Sequence, residues 1–519
     1  MDAADGRPIT VADAETISTP ISLLVLTGDR VLKFRKPIIT DFCDFSTVAG
    51  RLRDCEREVE LNRRLTDDVY LGVGRVDFAE ESSDEAEPCV VMRRLPGDRL
   101  LSAMVAAGED IGDATRAIAR RLAAFHADAA RVVATTDDDR ATVERARWTS
   151  AVRQLRCTAQ TAAADAVLDE IEWLVARWCR GRTVLFRTRF EDGFVRDGHG
   201  DLRAENIFCL DDGPRIIDCI EFDDALRRID VATDLAFLVM DLRRLGRRGD
   251  AEILVAEYEH AAGAPVPRAL LEHDVAYWAL VRAKVTHLRA MQGDPSARVQ
   301  AEMFERQALE QLRRSKVRLV LIGGLPGTGK TTLARHLAER TGWVVVSTDV
   351  VRKELAAVPI TAHAHDRFGD GLYRVDRIAA TYTELLRRAQ RCLALGQSVI
   401  LDASWSRSPT RADALALALV AEAALYEVRC TVDDEVARRR LVERAEAGHD
   451  ASDADVDIAH RMAMTFASWP SAYSVDTAES VEQVTSQLCD EFGVTSADGS
   501  ERITHPASSF SPRSAALNT

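Results

Sequence analysis

The stretch that most narrows what this chain can fold into is KVRLVLIGG, followed by Gly324-Leu325-Pro326-Gly327-Thr328-Gly329-Lys330-Thr331 and then TLARHLAER. An apolar run that breaks into glycines and resumes with helical spacing predicts a strand, a tight loop and a helix in that order. The glycines let successive backbone N–H groups turn inward, and the helix N-terminus adds its positive end, so the loop forms a cradle for phosphate oxygens. Lys330 then reaches the β- and γ-phosphates, and the Thr331 hydroxyl is a magnesium ligand. Gly324, Leu325, Pro326, Gly327, Thr328, Gly329, Lys330, Thr331 and Thr332 are therefore the expected loop for ATP or GTP with Mg2+.

Further carboxylates fall where a parallel sheet would present them. The segment WVVVSTDVVRKEL brings Asp349 to the end of an apolar strand with Arg352 one turn into the next helix, at the sheet edge where ligands bind. A carboxylate there can take the proton of a substrate hydroxyl or order the magnesium shell, besides serving as a helix N-cap. SVILDASW ends a further strand in Asp402, a second carboxylate for the metal. After the strand ALYEVRC, the helix DDEVARRRLVERAEAG carries Arg438, Arg440 and Arg444, with at least Arg440 and Arg444 on one face. Such a helix is either a solvated surface or a lid that neutralises transferring phosphate.

The chain has 519 residues, which points to two or three domains. A formal charge of -15 opposes binding to phosphate backbones and acidic membrane surfaces, so neither nucleic acid nor membrane is an expected partner. The ten cysteines show no C-x-x-C pair, and no segment approaches a membrane span or a signal peptide; a cytoplasmic, reduced protein is expected. Pattern divides the chain into an N-terminal segment 1–20, a small β lobe 21–98, a helical lobe 99–314, βα units over 315–494 and a polar tail 495–519 expected to be disordered.

Within the first half, the strands ISLLVLT and RVLKFRK turn at Gly28 and Asp29, and RLRDCEREVELNRRL follows as a helix. Further on, His199-Gly200-Asp201-Leu202-Arg203-Ala204-Glu205-Asn206 precedes a strand that ends at Asp218. In kinases of the eukaryotic type, an Asp stands beside the attacking hydroxyl, an Asn five residues later holds a magnesium ion, and a second Asp one strand onward lies across the phosphates. Asp201, Asn206 and Asp218 fit those three places. Phe125 and His126 read as a packed helical pair.

On these motifs, residues from about 20 to 312 resemble the aminoglycoside phosphotransferases and related choline and sugar kinases, through HGDLRAENIF, IIDCIEFDD and RRIDVATDLAFL. The resemblance implies a bilobal, protein-kinase-like α+β fold, a strand lysine (Lys33, with Lys36 as rival), its helix partner Glu58, and a hinge at Met92 to Leu95 near the adenine. The family usually shows Trp or Phe and then Glu after the second Asp; here Cys219-Ile220-Glu221 follows, and residues 22–32 hold no glycine-rich loop. Residues from 316 to about 494 resemble the small P-loop kinases of the gluconate-kinase and zeta-toxin type, through GLPGTGKTT, STDVVRKEL, VILDASW and the Arg-rich helix followed by SDAD. That resemblance implies a P-loop NTPase fold of the α/β class, a doubly wound parallel sheet with helices on both faces. The activity it implies is transfer of the γ-phosphate of ATP to a small hydroxyl-bearing acceptor such as a sugar, a nucleoside or an aminoglycoside-like compound. Residues 357–372 match no acceptor pattern, and the oligomeric state stays open. A nucleotide-responsive regulator with one or both halves silent is the alternative.

Overall fold

Alternation along RVLKFR sorts the first sheet. Leu32 and Phe34 join one buried cluster with Val76, Cys89 and Val91, whereas Val31 packs on the opposite face with Cys55, Val59, Tyr70, Val90 and Met92. Lys33 and Arg35, two and four residues on from Val31, therefore face the helix Val48–Arg63. In the computed structural model the described residues are 14–19, 21–39, 43–76, 86–133, 140–159, 162–291, 293–359, 374–447 and 456–494. Residues 77–85, the segment after Pro359 and the tail expected to be disordered lie outside them.

Compactness divides the chain into two units that interleave in sequence. The first comprises residues 1–137, 188–266 and 273–285. Its antiparallel sheet has the order β1 (Glu15–Ser18), β2 (Ser22–Thr27), β3 (Arg30–Arg35), β5 (Glu87–Arg93), β4 (Tyr70–Val76). Strand β1 was not expected; it forms in the segment read as preceding the lobe. Two ribbons follow: β6 (Val195–Asp197) pairs with β9 (Arg228–Asp230), and β7 (Ile207–Leu210) pairs with β8 (Gly213–Ile216). They flank the loop around Asp201 in the chain, and β9 runs into Val231–Arg244, a helix buried from Val231 to Leu242.

The second unit comprises residues 138–187, 267–272 and 286–519. Its five strands are all parallel, in the order β11 (Val344–Ser347), β12 (Val399–Asp402), β10 (Arg318–Gly323), β13 (Ala424–Thr431), β14 (Tyr473–Asp476). The central strand, RLVLIG, is buried throughout, as a strand covered on both faces must be. One face packs Leu319, Leu321 and Leu401 with residues of the helices Val375–Ala394 and Ser408–Val420. The other packs Val320, Ile322 and Val428 with the helices Lys330–Thr341 and Val481–Glu491. Packing does not follow the boundary read near Ser315. The helices Arg140–Ala159, Ala162–Gly181 and Pro295–Arg314 belong to this unit, where Trp178 Nε1 donates to Ser315 O at 3.2 Å and Arg182 Nη1 to Ala421 O at 2.7 Å.

Candidate active sites

In the second unit the strand order reverses around β10, so the loop after β10 opens at the crevice where ligands of such sheets bind. Gly329, at φ 79°, caps the helix Lys330–Thr341 from the left-handed region that a side chain disfavours. Within the loop, Thr328 Oγ1 donates to Leu325 O at 2.8 Å, and Lys330 Nζ donates to the same carbonyl at 2.8 Å. Gly324 N donates to Ser404 O at 3.1 Å, tying the loop's first residue to the segment after β12.

Thr331 Oγ1 donates to Asp402 Oδ2 at 2.8 Å. Asp402 closes β12 and is buried; desolvation raises its carboxyl, opposed by Lys330 and the Thr331 hydroxyl, while Asp349 pushes it further up. A hydroxyl and a carboxylate side by side are hard oxygen donors, which fits an octahedral cation that keeps water and phosphate as its other ligands. Asp349 sits in the first turn of the helix Thr348–Leu355; the cap is Ser347, whose Oγ accepts from Asp349 N at 3.3 Å. The Asp349 carboxylate accepts Arg352 Nη1 at 2.6 Å.

A cavity of about 570 Å3 opens beside the loop, lined by Gly329, Lys330, Thr331, Thr332, Arg440 and Thr477 among others. Of the arginines on the helix Asp434–Ala447, Arg440 is therefore at the site; the side chain of Arg444 lies outside the described residues. Thr477 carried no sequence signal, since it belongs to no motif and reaches the loop only through the position of β14.

In the first unit Lys33 Nζ donates to Glu58 Oε1 at 2.8 Å and to Asp218 Oδ1 at 2.6 Å. The rival Lys36 turns away and donates to Ser18 Oγ at 2.9 Å. Burial disfavours the Lys33 charge, but Asp218 and Glu58 outweigh it and hold the ammonium above its ordinary range. For Asp218, burial is likewise outweighed by Lys33, which brings the carboxyl down to about 2. Asp218 has φ 64°, a left-handed conformation that Asp tolerates, and its N–H donates to Tyr70 OH at 3.0 Å.

Asp201 accepts both arms of Arg203, Nε and Nη2, at 2.9 Å each, and Asn206 Nδ2 donates to Asp201 Oδ2 at 2.9 Å. The buried Asp234 carboxylate holds the same loop by accepting His199 N at 2.6 Å and Gly200 N at 2.9 Å. It also meets His126 Nε2 at 3.1 Å, so His126 supports the loop as well as packing on Phe125. Arg35, two residues beyond Lys33 on the same face, donates to Glu58 Oε2 at 2.6 Å and also to Glu221 and Ser22. Glu58 is thus shared by two cations. The alternation of β3 already placed Arg35 on that face, whereas its carboxylate partners come from distant parts of the chain.

Fold and geometry define a class: a chain that joins a kinase-like phosphotransferase region to a P-loop kinase-like region. Residues 24–273 match the family model described as a phosphotransferase enzyme family, and residues 319–468 match one described as an AAA domain. The chain belongs to the same family as uncharacterized proteins of Mycobacterium tuberculosis and Mycobacterium bovis, each 40% identical over 475 residues, covering 91% of this chain and 94% of theirs. Solved structures similar to parts of it include the GDP and kanamycin complex of APH(2")-IIia, at 17% identity and TM-score 0.36 over 59% of this chain and 94% of that one. Another is the Mycobacterium tuberculosis APS kinase CysC in complex with AMPPNP and APS, at 18% identity and TM-score 0.26 over 34% and 96%. No helix among the described residues is long and apolar enough to cross a membrane.

Proposed function

We propose that the protein transfers the γ-phosphate of ATP to a hydroxyl group of a small acceptor, a sugar, a nucleoside or an aminoglycoside-like compound, with one candidate site in each unit. The observation that carries the reading is the meeting of Lys330, the Thr331 hydroxyl and the Asp402 carboxylate at one phosphate loop. Thr331 and Asp402 would hold Mg2+ there, and Asn206 and Asp218 in the first unit; the ion supplies charge neutralisation on the phosphates. Asp349 and Asp201 would accept the proton of an acceptor hydroxyl. Lys330 and Arg440 would supply cationic charge to the phosphoryl group, and the Lys33–Glu58 pair would position phosphates in the first unit. In-line transfer asks for positioning and charge more than covalent chemistry, which is what these residues offer.

A specific observation favours a regulatory first unit. β1 and β2 are joined by residues 19–21 alone, with Thr19 N donating to Ser22 O at 2.9 Å, which leaves no glycine-rich cover for a nucleotide. One experiment separates the readings. A metabolite extract is incubated with ATP, Mg2+ and the wild-type chain, Lys330→Ala or Asp201→Ala, and the products are profiled by mass spectrometry. A phosphorylated species lost only with Lys330→Ala leaves the first unit regulatory; one lost with Asp201→Ala makes it catalytic. No new species from any extract, with ATP binding retained, refutes phosphotransfer.

A further inference from the structure

Thr477 follows β14, and its backbone N–H donates to Thr431 O at 2.9 Å, extending the sheet by one residue. Its hydroxyl lies 3.0 Å from Thr328 O and 3.3 Å from Thr431 O as a donor, and it accepts Arg440 Nη1 at 3.1 Å. Its carbonyl accepts Arg440 Nη2 at 2.8 Å. Two contacts on different nitrogens fix the plane of a guanidinium as well as its place. Five N–H groups are available to Arg440 in all, so the ones not spent on Thr477 can serve a ligand in the cavity both residues line. The arginine is close to the loop: a methyl group added at Gly329 would lie 3.5 Å from Arg440 Nη1.

The same hydroxyl acts on the loop itself. Because a trans peptide is planar, its C=O and N–H point in opposite directions. Holding Thr328 O toward Thr477 therefore turns the N–H of Gly329 away from Thr477. One side chain thus sets an arginine and a loop peptide together.

We propose that Thr477 is a positioning residue of the phosphate-loop site, orienting Arg440 and the Thr328–Gly329 peptide on one polyphosphate chain. The proposal rests on the ATP reading given above. Its test is calorimetric titration of Mg·ATP into the full-length chain, where the binding component absent from Lys330→Ala reports the phosphate loop. Thr477→Val is expected to weaken that component about tenfold, as loss of one hydrogen bond to a charged group does, while Thr477→Ser restores it. In an Arg440→Ala background the valine change should cost no more than about threefold, because coupled residues are not additive. An equal loss in both backgrounds, or no loss in the wild-type background, overturns the proposal and leaves ATP binding standing. If the wild-type chain has no component that Lys330→Ala lacks, the ATP reading falls and this one with it. Arg440→Lys is a second measurement that spares Thr477: it keeps the charge but not the two-point hold, so binding should stay well below wild type, and full affinity would count against the inference.

Discussion

Gly327→Ala perturbs the contact between the phosphate loop and the arginine-bearing helix, and Gly342→Ala serves as its matched control. The two glycines have similar backbone angles, φ 81° and 71°, so both substitutions pay the left-handed cost of about 1–2 kcal/mol. Their surroundings differ. A methyl group at Gly342 meets nothing within 4 Å, whereas at Gly327 it would stand 2.6 Å from Ala437 O and 3.1 Å from Leu441 Cγ. The carbonyl belongs to the helix Asp434–Ala447 and cannot rotate away alone, so the helix must shift. Overpacking of this kind costs a further ~1–3 kcal/mol. At 1.4 kcal/mol per tenfold, amides of that helix should exchange about 5- to 150-fold faster in Gly327→Ala without nucleotide, while Gly342→Ala leaves them nearly unchanged. Hydrogen-exchange mass spectrometry of peptides from the helix measures this. Equal exchange in the two variants would refute the idea that the helix rests on the loop.

Two further predictions concern pH. Asp218 is held down to about 2, so its pairing with Lys33 stabilises the folded chain above the ordinary carboxylate range and is lost as pH falls from about 4 toward 2; Asp218→Asn, read by acid unfolding, should remove that part of the slope, about 1 kcal/mol once partial exposure is allowed for. Glu221 is pushed up to about 8, by burial first and then by Glu58 against the pull of Arg35, so its contribution is complete at low pH and declines as pH rises from about 4.5 through 8. Glu221→Gln should flatten stability over that window in thermal melts at stepped pH, and an unchanged profile would show that Glu221 stays ionised.

Much of both sites was legible in the sequence because it lies in short contiguous stretches. The loop from Gly324 to Thr331 carries its own glycines, lysine and hydroxyl, and HGDLRAEN brings Asp201 and Asn206 within five residues of each other. Alternation in RVLKFR sets Lys33 and Arg35 on one face of the strand. Local pattern left open both Lys33, inside β3, and Lys36, just past it; the choice follows from where the helix Val48–Arg63 sets Glu58 and where the segment after β8 sets Asp218. Nor could it assign Ser347 rather than Asp349 as the cap, because a shift of one or two residues in the helix start exchanges those roles. Thr477 depends on a parallel sheet bringing β14 beside β13, and the place of helices 140–181 in the second unit depends on contacts between segments far apart in the chain. Covalent neighbours and periodicity determine motifs and faces; which faces meet is decided by burial of the whole chain, a property no window of residues contains.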